Sequence, residues 1–428
     1  MLKVYLYIIK VLFFPISKEE QIIKKTMIRD SFKLDKRINH SYRFFFSNFK
    51  KILFSQIQSK VCIKDNKTFI LDGNCSNTVN RINFLKYYNS TIINSDIVFL
   101  PYKELIHFNS LYQKLQWMVL TVFFSPFLGL KLLFTKHKGS VGLLLEYPIL
   151  IINLLKISNN SYYLYYFCIY ELETNLVAKF LLDSKIKFSK ITSSTPITYH
   201  NSRIISDDII LCDLYQLEEF KYHKNKCIYK SFKVWGPENS SQYMDLYKSN
   251  LDNSDYDITF YSTASWVRVK NGSIDFGHDM LRAESTILNV IKQYLIKNPK
   301  IKFKIALHPK ERVNYKETIE YYSSIFKEIN YYISDENERS DLNLTKNGLG
   351  VTFFSTIALE SIYCGNKVCF WTQGIQFPVI NSNLKNICVS NEQELLDLII
   401  KSISKTKKEF IVENELKQYV NEECYSNL

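Results

Sequence analysis

The sequence predicts an α/β protein of two domains, each built around a parallel sheet that helices cover on both faces. The chain has 428 residues, which suits two domains of roughly 200 residues better than one core. With 46% hydrophobic and 23% charged residues, its composition is that of a globular protein. From residue 61 onward, short apolar strand-like runs alternate with helix-like segments. This alternation is typical of parallel sheets that are buried on both faces.

The first domain is predicted over residues 61–235. Its strand-like runs are KTFILDG, DIVFLPY, YYLYYFCIY, KFSKITS and DDIILCD. The most apolar stretch of the chain is 117–157, and prolines and charged residues interrupt it at Pro126, Lys131, Glu146 and Pro148. Two membrane spans are therefore not expected. Packed core helices, or helices that dip into a membrane interface, are the two interpretations of this stretch.

The second domain is predicted over residues 236–428. It follows the segment KVWGPENSSQ, where a Gly-Pro pair and a polar stretch indicate a domain boundary. The alternation then restarts with the strand-like runs DITFYST, KFKIALHP, GLGVTFFS and KVCFWTQ. Helices are predicted between and after them, the last around residues 392–403. Two Rossmann-like halves joined by a linker are the economical interpretation.

Residues 1–60 form a basic, partly apolar N-terminal segment. The net charge of the chain is +13, and this segment carries thirteen Lys/Arg against four Asp/Glu. Its apolar run VYLYIIKVLFFPI is broken by Lys10 and is too short to span a bilayer. One interpretation is docking on an anionic membrane surface, and the other is a solvated basic face with one core helix. No RNA- or DNA-binding motif accompanies the charge, so nucleic acid is not expected as a partner.

The nine cysteines are odd in number and scattered, with no CxxC pair. This pattern favours buried free thiols over a disulfide framework or a zinc site. It therefore indicates a reducing cytoplasm, and no metal site is expected.

Functional residues are expected where strands end, because ligands of open α/β sheets bind beyond the carboxyl ends of the strands. The strand within residues 302–312, KFKIALHPKER, ends at His308. Pro309 disfavours a helical conformation for the residue before it, so His308 is predicted to be extended at the sheet edge. A neutral imidazole can donate a hydrogen bond to phosphate, and a protonated one adds charge. Lys310 and Glu311 are expected to form a solvated rim, and a strand-ending turn without function is the alternative for the whole motif.

A second strand end lies in GVTFFSTIALESIYCGNKVCF, where a strand is predicted to run to Phe354. Ser355 and Thr356 follow, a helix begins at once, and Gly365 is placed to end that helix. Ser and Thr are good helix N-caps, so capping alone is one interpretation. A helix N-terminus with two hydroxyls is also a phosphate site. Glu360, one turn inside the helix, is a candidate acceptor for ribose hydroxyls.

Two further strand ends carry polar groups. TFYSTASWVRVKNG offers the hydroxyls of Ser262 and Thr263, with the cation of Arg268, as anion ligands, and its Trp266 fits a core equally well. In the first domain, Glu171 follows a strand and opens a helix, where the dipole favours acidic residues in any case. A carboxylate that faces a phosphate site from the other domain is a candidate general base.

The motifs His308-Pro309 and Ser355-Thr356 together resemble those of bacterial glycosyltransferases of GT-B architecture, over roughly residues 255–375. They are similar in particular to the sialyltransferase and polysialyltransferase-like group, which builds capsules and lipopolysaccharide O-antigens. Both motifs of that group bind the phosphate of a CMP-activated sugar, and here they match in order, spacing and strand context. The resemblance implies a GT-B-like fold, two Rossmann-like domains facing across a cleft, with Glu360 as a further donor-binding residue.

The third signature of that group, an acidic pair followed by glycine that supplies the catalytic base, is not present as such. The LDG at 71–73 supplies Asp72, and Glu171 is the alternative. The resemblance implies sugar transfer from a nucleotide donor, CMP-linked and acidic as sialic acid is, to a lipid-linked or surface glycan, with no metal or cofactor. It also implies a peripheral enzyme on the inner face of the cytoplasmic membrane. Kdo transferases, CDP-glycerol- or ribitol-type phosphotransferases and a non-catalytic accessory protein of polysaccharide assembly stay open as alternatives.

Overall fold

We analysed a computed structural model of the protein. It describes residues 1–27, 47, 49–55, 57, 68–72, 78–88, 97–101, 105–134, 140–158, 163–166, 174–191, 204–211, 217, 228–237, 254–272, 274–338, 344, 346–353, 355–373 and 383–422. The chain divides into two compact units. Unit 1 comprises Met1–Ser193, Ile197–Ile210 and Phe220–Lys233, and unit 2 comprises Ser194–Pro196, Leu211–Glu219 and Val234–Leu428.

Unit 1 contains a six-stranded sheet. Its strands are β1 (Thr68–Asp72), β2 (Ile97–Pro101), β3 (Tyr163–Tyr166), β4 (Phe188–Ile191), β5 (Asp208–Leu211) and β6 (Ser231–Val234). The strand order is β2-β1-β3-β4-β5-β6. From β2 through β5 each neighbouring pair is parallel. This strand order, with crossovers between parallel neighbours, is the Rossmann-like arrangement that the alternating sequence pattern predicts.

The helices of unit 1 include one in the basic N-terminal segment. They are α1 (Leu2–Phe13), α2 (Lys18–Met27), α3 (Thr78–Tyr88), α4 (Leu111–Phe134), α5 (Ser140–Ser158) and α6 (Thr174–Asp183). Tyr5 of α1 stacks on Phe124 of α4 with ring centroids 5.7 Å apart, and its hydroxyl forms a 2.7 Å hydrogen bond with Thr121. Helix α1 therefore belongs to the core of unit 1, as one of the two interpretations of this segment expected.

The apolar stretch 117–157 forms most of α4 and α5, and both helices continue through their prolines, Pro126 and Pro148. Trp117 is fully buried, and its indole N–H donates to the carbonyl of Leu145 at 3.0 Å. Each helix therefore buries one side in the core of unit 1, and the outer side of α4 is exposed. Within the described residues, the structure contains no helix with the length and hydrophobicity that a membrane crossing requires.

Unit 2 contains a second six-stranded sheet, parallel in every pair. Its strands are β7 (Tyr256–Tyr261), β8 (Phe303–Ala306), β9 (Tyr332–Ile333), β10 (Asn347–Thr352), β11 (Lys367–Trp371) and β12 (Cys388–Val389). The order is β12-β11-β10-β7-β8-β9. The helices are α7 (Ser265–Lys270), α8 (Ile274–Lys297), α9 (Pro309–Arg312), α10 (Tyr315–Ile325), α11 (Thr356–Tyr363), α12 (Glu392–Ile403) and α13 (Lys407–Glu413). Two short 3-10 helices are Asn383–Ile387 and Lys417–Tyr419.

The predicted fold class, α/β with two Rossmann-like parallel sheets, is confirmed.

Two predicted element limits were wrong. Strand β10 ends at Thr352 rather than at Phe354, at the residue whose hydroxyl donates to the carbonyl of Tyr261 at 2.9 Å. The helix at 392–403 is not the last one. Helix α13 follows it, and its start is fixed by a capping box in which Thr406 and Glu409 satisfy each other's backbone N–H groups.

Candidate functional site

The two motif strands flank the same central strand of unit 2. Strands β8 and β10 both pair in parallel with β7, and Tyr261 is in register with Ala306 on one side and Thr352 on the other. His308 lies two residues beyond Ala306, and Ser355 lies three residues beyond Thr352. With neighbouring strands about 4.8 Å apart, the two motif strands run about 10 Å apart. Both motifs therefore leave the sheet at the same edge, one strand apart.

His308 adopts the extended conformation that the following proline predicts. Its φ and ψ are −69° and 147°, and it is the N-cap of the short helix α9, with Pro309 at the first helical position. Its backbone N–H donates to Oε2 of Glu311 at 2.9 Å, and its ring Nδ1 accepts from the backbone N–H of Lys310 at 3.1 Å. The backbone therefore fixes the ring through Nδ1, and Nε2 is not used in this contact.

The imidazole of His308 is neutral at neutral pH. Burial lowers its pKa to about 4, and the positive charges of Arg268, Lys310 and Arg312 act in the same direction. Because Nδ1 accepts a hydrogen bond, the ring proton resides on Nε2. Of the two forms that the sequence left open, a neutral donor and a protonated ring, the geometry thus favours the neutral donor.

Three cations surround this histidine. The Nε of Arg268 donates to the carbonyl of Thr263 at 2.9 Å, and Nη2 of Arg312 donates to the carbonyl of Leu307 at 3.2 Å. The positive charge of Arg268 lowers the pKa of Lys310, and burial adds to that effect. Crowded like charges of this kind repel each other, so an anion that binds among them is favoured. The edge of the sheet beside His308 is therefore a strongly electropositive site.

Glu311 does not lie in the solvated rim, and that prediction was wrong. The side chain is fully buried, and its Oε1 accepts from the indole N–H of Trp266 at 2.8 Å and from the hydroxyl of Tyr322 at 3.0 Å. Its other oxygen closes a capping box with His308, which folds the carboxylate back beneath the strand end. Lys310, by contrast, is exposed as predicted.

A second buried carboxylate, Glu284 of α8, lies beside Glu311. Burial raises the pKa of Glu311 to about 7, and the nearby negative charge of Glu284 acts in the same direction. Oε1 of Glu284 accepts from the backbone N–H and the hydroxyl of Thr263, at 2.6 and 2.7 Å. Its Oε2 accepts from the backbone N–H of Ser265 at 3.2 Å and from the Ser265 hydroxyl. The hydroxyls of Thr263 and Ser265, in the turn after β7, thus bind a carboxylate of the chain itself.

The remaining residues of the turn after β7 hold it in place. Ser262 is buried, and its hydroxyl accepts from the backbone N–H of Ala264 at 3.0 Å. Ala264 is buried in a left-handed conformation, with φ of 56°. Trp266 stacks on Tyr321 with ring centroids 5.2 Å apart. Of the polar groups predicted on this strand end, Arg268 is the one whose charge acts on His308.

The Ser-Thr motif lies at the start of α11. Ser355 occupies the N-cap position with φ −141° and ψ 136°, and its side chain makes no capping hydrogen bond. Thr356 is the first residue of the helix, and Gly365, with φ 77°, follows its end as predicted. Because the serine hydroxyl is not used to cap the helix, it is available at the edge where the positive site lies.

Glu360 is buried within α11, near the end of β7. Burial raises the pKa of Tyr261 to about 12, and the negative charge of Glu360 also acts to raise it. The carboxylate is therefore inside unit 2 beneath the Ser-Thr motif.

The two predicted bases belong to unit 1. Asp72 is the last residue of β1, in register with Pro101 of β2, and its side chain is not among those described. Glu171 lies outside the described residues. Among the side chains that the structure does describe, no group of three or more His, Cys, Asp or Glu is arranged to hold a metal ion.

Sequence reasoning missed the two buried glutamates, although each carries a signal. Glu311 follows His308 by three residues with a proline between them, which is the spacing of a capping box. Glu284 lies among Met280, Ala283 and Ile287, on the apolar side of an amphipathic helix. A carboxylate on such a side indicates a buried hydrogen-bond acceptor.

No protein-family model matches the chain, and no curated protein matches it. A UDP-GlcNAc 2-epimerase from Neisseria meningitidis, solved bound to UDP-GlcNAc, aligns with 12% identity and a TM-score of 0.49 over 85% of this chain and 98% of its own. A putative UDP-N-acetylglucosamine 2-epimerase from Listeria monocytogenes aligns with 8% identity and a TM-score of 0.49 over 85% and 94%. A UDP-glucosyltransferase from Polygonum tinctorium aligns with 10% identity and a TM-score of 0.42 over 83% and 94%. At these scores the neighbours carry no functional argument.

Proposed function

We propose that the chain is a glycosyltransferase that binds the phosphate of a nucleotide-activated sugar at the edge of the unit 2 sheet. The observation that carries the proposal is the neutral His308, which keeps its proton on Nε2 and is acted on by the positive charges of Arg268, Lys310 and Arg312. Ser355, whose hydroxyl does not cap the helix, follows β10 at the same edge of the sheet, and only β7 separates β10 from β8.

Phosphate is the anion that suits this combination of groups. Guanidinium and ammonium groups supply charge, the histidine and serine supply directed donors, and the first turn of α11 supplies N–H groups that have no partner inside the helix. A carboxylate ligand would use fewer of these donors, because it offers two oxygens rather than three or more.

The proposed role of the site in catalysis is to stabilise negative charge on the leaving group. When the bond between the anomeric carbon and the donor oxygen breaks, negative charge accumulates on the departing phosphate. His308 and the cations around it stabilise that charge without a proton transfer, because the ring is already a neutral donor. In an inverting reaction a carboxylate of unit 1 takes the acceptor proton, and we assign Asp72 or Glu171 to that role. No metal is required for this scheme.

The finer assignment rests on the motifs. His308-Pro309 and Ser355-Thr356 resemble those with which sialyltransferase-like enzymes bind CMP-activated sugars. We therefore infer a CMP-linked acidic sugar as donor and a membrane-associated glycan as acceptor, as in the biosynthesis of capsule or O-antigen.

A donor screen tests the proposal. The full chain is incubated with CMP-, CDP-, UDP- and GDP-activated sugars and with CDP-glycerol, and nucleotide release is followed. We expect saturable release from a CMP-sugar, reduced at least tenfold in His308→Ala and Arg268→Ala, because each removes a charge-assisted or directed contact to phosphate. The matched control is Lys297→Ala, the loss of a surface cation at the far end of α8.

The other outcomes decide between the alternatives. Release from CDP-glycerol alone would assign the chain to phosphotransfer. Binding without turnover would assign it to an accessory role. If no donor binds and His308→Ala changes nothing, the proposed function is wrong.

A further inference from the structure

One side of helix α4 exposes an apolar stripe to solvent. The opposite side is buried in the core of unit 1 through Gln113, Trp117, Thr121 and Phe124. The outer stripe consists of side chains between 47% and 65% exposed, namely Leu111, Leu115, Val119, Val122, Phe123 and Phe127. Their spacing of mostly three or four residues places them along one face. Within the described part of the chain, this outer face of α4 is left uncovered.

Neighbouring segments extend this surface beyond the N-terminus of α4. Ile57 forms a parallel bridge with Phe108, three residues before the helix, and Nζ of Lys114 donates to the carbonyl of Ser55 at 3.0 Å. These contacts hold Phe54 and Ile57, which are 73% and 45% exposed, beside the first turn of the outer stripe.

Exposed apolar side chains are concentrated in this part of the protein. Among the described residues, unit 1 has thirteen large apolar side chains in the exposed class, all between Leu2 and Phe127, whereas unit 2 has six. Single exposed apolar residues are ordinary on protein surfaces, but a continuous stripe marks an interaction site.

The charge around the stripe favours an anionic partner. Lys50 and Lys51 are exposed one turn before Phe54, on a helical segment over 49–53. The two acids of α2 are paired with lysines, Glu20 with Lys10 at 2.7 Å and Glu19 with Lys179 at 3.2 Å. Apolar side chains beside lysines are the composition of surfaces that insert at the headgroup level of anionic bilayers.

We propose that the outer stripe of α4 and the flanking segment 50–57 dock this chain on the surface of an anionic lipid bilayer. The stripe enters the interface between headgroups and acyl chains, and Lys50 and Lys51 contact the lipid phosphates. The proposal does not depend on the donor site, because it rests on side chains of unit 1 alone.

Vesicle co-sedimentation of the full chain tests the docking surface. The vesicles are phosphatidylethanolamine with phosphatidylglycerol, and phosphatidylcholine alone. We expect stronger binding to the anionic vesicles. The triple variant Leu115→Gln/Val119→Gln/Val122→Gln is expected to weaken it about tenfold or more, because three apolar side chains no longer leave water. Lys50→Glu/Lys51→Glu is expected to weaken it by a similar factor, on anionic vesicles only.

The matched control is Ile296→Gln/Ile400→Gln/Val412→Gln, three equally exposed apolar residues of unit 2. It is expected to leave vesicle binding unchanged. Melting temperatures and donor binding, measured on the same samples, are expected to be unchanged in the α4 variant, which separates loss of docking from misfolding and from failure of the proposed function. Equal vesicle binding by wild type and the α4 variant would overturn the proposal. So would a wild-type dimer that the α4 variant dissociates, because it would assign the stripe to a second copy of the chain.

Discussion

At the scale of single residues, the site depends on a histidine that is kept uncharged among cations. A protonated ring would add a fourth positive charge to Arg268, Lys310 and Arg312, and its burial makes that charge still less favourable. The neutral ring keeps its Nε2–H and so keeps the directed hydrogen bond that a phosphate oxygen accepts. The cations attract the phosphate by charge, and the histidine orients it through one directed hydrogen bond.

The protonation state of His308 is directly measurable. We expect its imidazole to titrate near pH 4, well below the usual 6.5, and to carry its proton on Nε2 at neutral pH. Nitrogen-detected NMR of 15N-histidine-labelled protein reports both properties, with His308→Gln identifying the signal. A ring that titrates at 6.5 would contradict its burial among the cations, and a proton on Nδ1 would contradict the hydrogen bond from Lys310.

Glu311 makes stability depend on pH in a defined direction. Its pKa is raised from 4.5 to about 7, so the folded state binds more protons than the unfolded state between those values. The wild type should therefore lose stability as pH rises from 4.5 through 7. Glutamine mimics the protonated form and does not titrate. The free energy of unfolding of Glu311→Gln, relative to that of the wild type, should therefore rise by on the order of 3 kcal/mol across this window.

Urea unfolding at pH 5 and pH 8 measures this difference. The depressed pKa of His308 has the opposite effect, since it adds stability as pH rises from about 4 to 6.5. That contribution is present in both proteins and cancels in the comparison. A difference that stays constant between the two pH values would show that Glu311 keeps an ordinary pKa.

At the scale of secondary structure, strand β7 holds the two motif strands in register. Its last residue, Tyr261, lays its ring against Gly350 of β10, where an added Cβ would lie 2.6 Å from the ring carbon Cε2. The ring is fixed at its other end, because the amide of Asn347 donates to the tyrosine hydroxyl. Strands β7 and β10 therefore cannot shift relative to each other without displacing the Tyr261 ring.

Replacement of Gly350 tests this contact. Because the ring has no room to move, Gly350→Ala is expected to destabilise the protein by about 1–3 kcal/mol, the usual range for overpacking. Gly272→Ala is the comparison, since an added Cβ there meets nothing within 4 Å and its effect comes from the positive φ alone. Urea unfolding of both variants measures the costs. An unchanged free energy of unfolding in Gly350→Ala would show that Tyr261 is not fixed.

The pattern of strands and helices was predictable, and its exceptions have physical reasons. Helix α8 has a clear amphipathic period, and β7 and β10 lie in short apolar runs typical of parallel strands buried on both faces, so the sequence alone locates them. Helix α13 has seven residues and β12 has two, too few for a period to show. The extended His308 was predictable as well, because Pro309 restricts its neighbour locally.

The buried carboxylates were not predictable in the same way. Their roles depend on partners far along the chain: Glu311 accepts from Trp266 and Tyr322, and Glu284 accepts from Thr263 and Ser265. A sequence pattern shows the carboxylate but not the donors that make its burial possible. From the sequence alone, Glu311 is therefore predicted to be solvated.

At the scale of the whole molecule, the two proposed activities fall on different units. Unit 2 carries the electropositive edge with His308 and Ser355, and unit 1 carries the apolar stripe with its lysines. In these two proposals, the surplus positive charge of the chain has two uses. In the N-terminal segment it would favour a lipid surface, and beside His308 it favours a phosphate.

The central claim is that His308 and Ser355 bind one phosphate group, and a comparison of a nucleotide with its nucleoside tests it most directly. Calorimetry measures the binding of CMP and of cytidine to wild type, His308→Ala, Ser355→Ala and the double variant. We predict that each single variant weakens CMP binding about tenfold, that the two effects are not additive, and that cytidine binding is unchanged in all three variants. If the variants weaken cytidine as much as CMP, or if Ser355→Ala has no effect, the two motifs do not share a phosphate.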